Sequence, residues 1–201
     1  MTISVAIFVF PDVEVLDFAG PYEVFTTASR VFKRKNTSDP APFSVFTVAQ
    51  DIGTIRARAG LVVMPDHTFA NHLPIDLLVI PGGIVTGPLE RPVVIQWIKR
   101  TAGIARLTAS VCTGSFLLAQ AGLLEGRSVT THWEDAGNLK AMFPSLTVIE
   151  NQRWVDEGVI VTSAGISAGI DMSLHLVARL CNRELALDTA RQMDFDWHEG
   201  P

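Results

Sequence analysis

Ala109-Ser110-Val111-Cys112-Thr113-Gly114-Ser115-Phe116 carries an apolar strand pattern straight into a helical one, with a cysteine on the turn between them. Leu107–Val111 has the length and unbroken apolar character of a strand buried on both faces. Residues 115–121 follow the helical period and stop at Gly122, a residue suited to the left-handed position after a helix. A strand that bends sharply into a helix lifts the residue at the bend above the sheet, the elbow on which α/β hydrolases present a serine nucleophile. Here that residue is Cys112. Unpaired N–H groups at a helix start favour negative charge, so this placement predicts a thiol whose pKa falls below the usual ~8.5. Taken alone, Cys112 also fits a buried core residue, because free cysteine is among the most buried residue types.

Outward from the elbow, strand-length apolar runs recur at 5–10, 44–48, Leu77–Ile80 and 159–162. Helical patterns lie between them. One over 92–99 opens on Pro92, which suits a first turn, and a long one covers 166–181. Residues 36–42 are polar with two prolines and read as a surface loop. Residues 153–161 read as a hairpin turning at Gly158. This alternation predicts an α/β fold: a three-layer sandwich with a mostly parallel sheet, helices on both faces and a nucleophile elbow, in one domain over 1–201.

Composition narrows the function classes. Of 201 residues 48% are apolar and 18% charged, and the mean hydropathy is +0.29. That excludes a disordered chain, and two cysteines cannot form a disulfide framework. A net charge of -5 and a pI near 5.5 offer no basic face, so no nucleic-acid partner is expected. Residues 1–11 are apolar but lack a cationic leader region, and they are about half the ~20 residues of a membrane span. They read as a first strand. The expectation is a cytoplasmic protein with reduced thiols and no membrane contact.

Three further segments bear chemistry. Pro81-Gly82-Gly83 follows the strand Leu77–Ile80, where glycine amides can face an anion, although such a tripeptide is also an ordinary turn. Asp17 lies between Leu16 and Phe18, a setting that desolvates a carboxylate and raises its pKa. It also fits the N-cap of a helix over 21–29. His132 is either a base or pocket wall, or a structural histidine. His67 and His72 have no partner at metal-ligand spacing, so no metal site is expected. Cys181, at the end of the 166–181 helix, reads as a packing residue.

The order Asp17, Pro-Gly-Gly (81–83), Val-Cys-Thr-Gly (111–114), Thr-His-Trp (131–133) and Ser-Ala-Gly-Ile-Ser-Ala-Gly-Ile-Asp (163–171) resembles the DJ-1/PfpI superfamily, in particular its isonitrile hydratase branch. The resemblance implies a flavodoxin-like sandwich, a cysteine at a strained elbow with an acidic partner, and a homodimer. It makes Cys112 the nucleophile, Asp17 the acid and Thr113 the neighbouring polar group. It makes Gly82, Gly83 and the Thr113 amide anion-stabilising, and it puts His132 and Ile166 against a small-molecule substrate. PfpI-type proteases carry histidine directly after the cysteine, and Thr113 stands there instead, so a peptide-cleaving dyad is missing. The same domain resembles the sensor half of AraC-type regulators, but no basic helix-turn-helix stretch occurs before Pro201. The implied chemistry is hydration of an isonitrile to an N-formamide with no metal or organic cofactor. The alternatives are a DJ-1-like stress protein handling reactive carbonyls or sensing oxidants, and a non-catalytic ligand-sensing domain.

Overall fold

A computed structural model describes residues 1–200; the end of the expected domain, Pro201, lies outside the described residues. The strands are β1 (Ile3–Phe8), β2 (Phe43–Ala49), β3 (Ile55–Arg56), β4 (Val62–Val63), β5 (His67–Thr68), β6 (Leu77–Ile80), β7 (Leu107–Val111), β8 (Ser128–Val129), β9 (Thr147–Val148), β10 (Trp154–Asp156) and β11 (Ile160–Ser163). The helices are α1 (Val15–Lys35), α2 (Thr86–Leu89), α3 (Pro92–Ile104), α4 (Gly114–Gln120), α5 (Ala136–Met142), α6 (Ala168–Leu180) and α7 (Arg183–Gln192). Seven strands form one sheet in the order β10-β11-β7-β6-β1-β2-β5. Every pairing in it is parallel except β10 with β11, the hairpin edge.

The sheet is parallel because its strands are apolar on both faces and each must be covered twice. Helices α1, α6 and α7 pack together on one face, and α2, α3 and α4 on the other. The central strands carry no exposed residue: β6 and β7 are buried throughout. Phe8, Phe25, Ile98 and Leu117 are among the largest fully buried side chains between the layers. Among the described residues, no helix is long and apolar enough to cross a membrane.

Several expectations shift. The first strand ends at Phe8 rather than at residue 10, although Val9 and Phe10 stay buried. Helix α1 begins at Val15, so Pro21 lies inside it and does not open it. Asp17 is therefore not an N-cap: Glu14 occupies that position, with no side-chain capping bond. Helix α6 starts at Ala168, which leaves Ile166 in the turn before it. Cys181, read as packing, is exposed because the apolar stripe of α6 has ended when the chain reaches its C-cap. Helix α7 escaped the apolar-period reading because polar Arg183, Glu184, Arg191 and Gln192 are exposed at its two ends. Its one local signature is Asn182, whose side chain caps the Leu185 amide at 2.8 Å.

Candidate functional site

Neighbouring parallel strands β11, β7, β6 and β1 all end at the same rim of the sheet, and the segments leaving them meet there. Open α/β sheets gather ligands at such a rim. Cys112 follows β7 with φ +56°, a left-handed conformation that costs an L-residue about 1–2 kcal/mol. Its backbone is tied down on every side. The Cys112 amide donates to the Ser163 carbonyl at 3.1 Å. Its carbonyl accepts from Thr131 Oγ1 at 2.9 Å and Ser115 Oγ at 3.2 Å. At about 0.5–1.5 kcal/mol each, these bonds offset the strain. Gly114 completes the bend, since a Cβ there would strike the Ile80 carbonyl.

Asp17, in the first turn of α1, is fully buried. Its Oδ2 accepts the Gly82 amide at 3.1 Å, and its Oδ1 has no hydrogen-bond partner among the described residues. Burial raises its pKa to about 7, against the Gly82 amide, with the nearby Glu14 carboxylate adding to the rise. The Cys112 thiol is in hydrogen-bonding reach and favours the ionised form. The expected depression of the Cys112 pKa is not what the environment produces. Burial pushes the thiol up, the Asp17 carboxylate pushes it further, and the Thr113 amide and hydroxyl only partly oppose them. Helix α4 is seven residues long and buried from Gly114 to Ala119, so desolvation outweighs its N-terminus. Asp17 and Cys112 form one coupled pair in which neither charge is well solvated.

The glycine amides are not open to an anion, because each already has a protein partner. Gly82 serves Asp17, and the Gly83 amide donates to Thr113 Oγ1 at 2.9 Å. The Thr113 hydroxyl in turn donates to the Gly83 carbonyl at 3.0 Å. Thr113 thus clips the elbow to the Pro-Gly-Gly turn, and its amide faces the Cys112 sulfur.

Above Cys112 opens a cavity of about 730 Å³ that also touches Thr113, His132, Ile166, Phe116 and Ile84. Gly82 and Gly83 sit behind Cys112, Gly83 at the cavity wall. The half-buried His132 ring lies near Glu134 and Asp135, at 3.9 and 3.7 Å from Nδ1. Gly165, in the β11–α6 turn, is a residue that sequence reasoning passed over. A Cβ on it would stand 2.9 Å from Cys112 Sγ and collide with the His132 ring. Only glycine lets that turn close over the thiol. Glu14 and Arg58 pair at 3.2 Å at the cavity edge beside Asp17. His67 and His72 are elsewhere: His67 packs edge-on against Phe46, and His72 bonds the Trp97 indole at 3.2 Å. A smaller cavity of about 270 Å³, bordered by Phe10, Ile52 and Arg91, lies beyond Ile84 and away from Cys112.

The sequence profile of the DJ-1/PfpI family matches residues 3–179. Isonitrile hydratase of Pseudomonas putida is 33% identical over the whole of this chain and 80% of its own length. The HTH-type transcriptional regulator CdhR of Pseudomonas aeruginosa is 32% identical over 72% of this chain, which spans only 43% of that regulator. Among solved structures, a ThiJ/PfpI family protein from Pseudomonas syringae superposes with a TM-score of 0.85 at 26% identity, covering 98% of this chain and 77% of that one.

Proposed function

The chain belongs to the DJ-1/PfpI family, and from that premise we propose that it is a cysteine-dependent hydratase converting isonitriles to N-formamides. The observation that carries this reading is the Asp17–Cys112 pair: a buried carboxyl with a pKa of about 7, within hydrogen-bonding reach of a thiol on a strained elbow. Similarity to an isonitrile hydratase over the full chain supports the choice of substrate.

The terminal carbon of R–N≡C takes up both a nucleophile and a proton. In the reactive form of the pair the proton sits on Asp17 and the charge on sulfur. Cys112 Sγ bonds to the carbon while Asp17 delivers its proton to the same carbon, giving the thioimidate R–N=CH–S–Cys112 and an Asp17 carboxylate. Water then adds to that carbon, with Asp17 taking a proton from the water and passing it to nitrogen. Finally Asp17 removes the hydroxyl proton, the C–S bond breaks, R–NH–CHO leaves, and the thiolate–carboxylic acid pair is restored. Gly82 aims Asp17, Thr113 holds the elbow, and His132 and Ile166 shape the space above the sulfur. Each step uses a proton the pair already holds or takes from water, so the proposal requires no cofactor.

The test is turnover of a small panel of alkyl and aryl isonitriles by wild type and Cys112→Ala, followed by formamide release. Formamide formation that requires Cys112 supports the reading, and no turnover with any member overturns it. Similarity to transcription regulators favours a second reading, a ligand-sensing domain. That reading predicts small-molecule binding that survives Cys112→Ser without turnover.

A further inference from the structure

The smaller cavity, of about 270 Å³, lies where the strand order of the sheet reverses. From β1 the chain passes to β2 on one side, and later it crosses to β6 on the other. The cavity is walled by the ends of β1 and β2 and by the segment between β6 and α3. In open α/β sheets such a switch point is where ligands settle. Phe8, Phe10, Ala49, Pro88 and Val94 line the cavity and are buried, so its floor is apolar. Three charged side chains, Asp12, Asp51 and Arg91, line it from the exposed rim. Arg91 stands at the N-cap of α3 and reaches across to the end of β2, where its guanidinium meets Gln50 Oε1 at 3.5 Å. Gln50 Nε2 in turn donates to Asp51 Oδ2 at 2.9 Å. The neutral Gln50 amide thus stands between opposite charges, and none of the three charged groups is in a salt bridge among the described residues.

We propose that this second cavity binds a free amino acid with an apolar side chain, a zwitterion of the size of leucine or phenylalanine. The side chain rests on the buried floor, the carboxylate pairs with Arg91, and the ammonium pairs with Asp12 and Asp51. A bare carboxylate would face both aspartates, and a bare amine would face the guanidinium. A zwitterion answers both signs at once. A guanidinium with no carboxylate partner in its own chain offers a carboxylate two parallel charge-assisted hydrogen bonds. Asp12 is set in place before any ligand arrives, with φ at +63°. Its amide donates to the Arg56 carbonyl at 2.9 Å, and its carbonyl accepts the Ile84 amide at 3.1 Å. Little ordering of that backbone is then left to binding. The volume stands just below the range usual for drug-sized ligands, which suits a molecule as small as one amino acid. Ile84 lines this cavity and the larger one, so a single side chain separates the two sites. The assignment does not depend on the chemistry of Cys112.

Isothermal titration calorimetry of the full chain tests this with L-leucine, L-phenylalanine, 3-phenylpropionate, phenethylamine and glycine. 3-Phenylpropionate lacks the ammonium, phenethylamine lacks the carboxylate, and glycine lacks the apolar side chain. Leucine or phenylalanine should bind with a Kd on the order of 0.1–1 mM. Each truncated probe should bind roughly ten-fold more weakly or worse. Arg91→Gln should weaken phenylalanine binding by a similar factor, and the helix does not need the arginine, because its side chain makes no capping bond. Asp12→Asn/Asp51→Asn should weaken phenylalanine and tighten 3-phenylpropionate; asparagine tolerates the left-handed backbone at position 12. Protein alkylated at Cys112 with N-ethylmaleimide, in a Cys181→Ser background, should bind phenylalanine as wild type does. No binding of leucine or phenylalanine at millimolar concentration would overturn the proposal. So would equal binding of 3-phenylpropionate or phenethylamine, or an affinity untouched by Arg91→Gln. Loss of binding on alkylation of Cys112 would place the amino acid in the larger cavity and overturn it as well. Failure of isonitrile turnover leaves every one of these outcomes unchanged, so the two claims stand or fall separately.

Discussion

Asp17 is a carboxyl held where folding alone would not favour its charge. Its pKa rises from 3.8 to about 7 because it is buried, so the folded chain binds its proton more tightly than the unfolded chain does. Stability therefore falls as pH rises from about 4 to 7 and stays low above that. Asp17→Asn cannot ionise and escapes this loss. We expect its gain over wild type to be nil near pH 4 and on the order of 1–3 kcal/mol at pH 8, read by thermal denaturation across pH. Activity should move the other way, with formamide release falling at least a hundred-fold because an amide cannot shuttle the proton. In wild type the pair must hold a single negative charge to react, so kcat/KM should rise with pH through an apparent pKa near 7, which belongs to the pair. A flat profile from pH 5.5 to 8 would remove Asp17 from the chemistry.

The elbow depends on two neighbouring turns as much as on its own sequence. Thr113 ties it to the β6 turn through both hydrogen bonds with Gly83. Thr113→Val keeps the branched shape but leaves the Gly83 amide and carbonyl without that partner. It should lower stability by about 1–3 kcal/mol and reduce kcat/KM with it. If only kcat/KM falls while the melting temperature is unchanged, the hydroxyl acts on substrate and does not clip the turns together. Gly165 covers the thiol from the β11 side. Gly165→Ala should displace the His132 ring, cut turnover ten-fold or more and slow alkylation of Cys112, while circular dichroism stays that of wild type. Unchanged alkylation would mean the turn yields easily and does not shape the pocket.

The molecule as a whole offers one further apolar surface. The β3–β4 hairpin stands outside the main sheet, and near it Leu61, Val62 and Met64 are 50%, 53% and 64% exposed. Exposed apolar residues grouped on one projection mark an association surface more often than scattered ones do. We expect a homodimer with twice the 21.9 kDa chain mass in light scattering, reduced to the single-chain mass by Val62→Asp/Met64→Asp. A single-chain mass for wild type at micromolar concentration would dismiss the dimer.

The layered parallel architecture, the elbow at Cys112 and the order of the segments around it were legible in the chain. They rest on short-range features: apolar runs of strand length, a helix starting directly after one of them, glycines at strand ends. The limits of these elements were less legible, as with α1, which starts at Val15 and encloses Pro21. Polar helix α7 had little apolar periodicity to announce it, and Cys181, which the apolar stripe of the preceding helix assigns to packing, is exposed at the C-cap. What the folded arrangement alone settles is who meets whom. Gly82 and Gly83 spend their amides on Asp17 and Thr113, and Gly165 caps the sulfur. Burial and the Asp17 carboxylate lift the Cys112 thiol, which its place at a helix start would have lowered. Desolvation, close approach and the partner of each amide depend on groups far apart along the chain. Only packing brings those groups together.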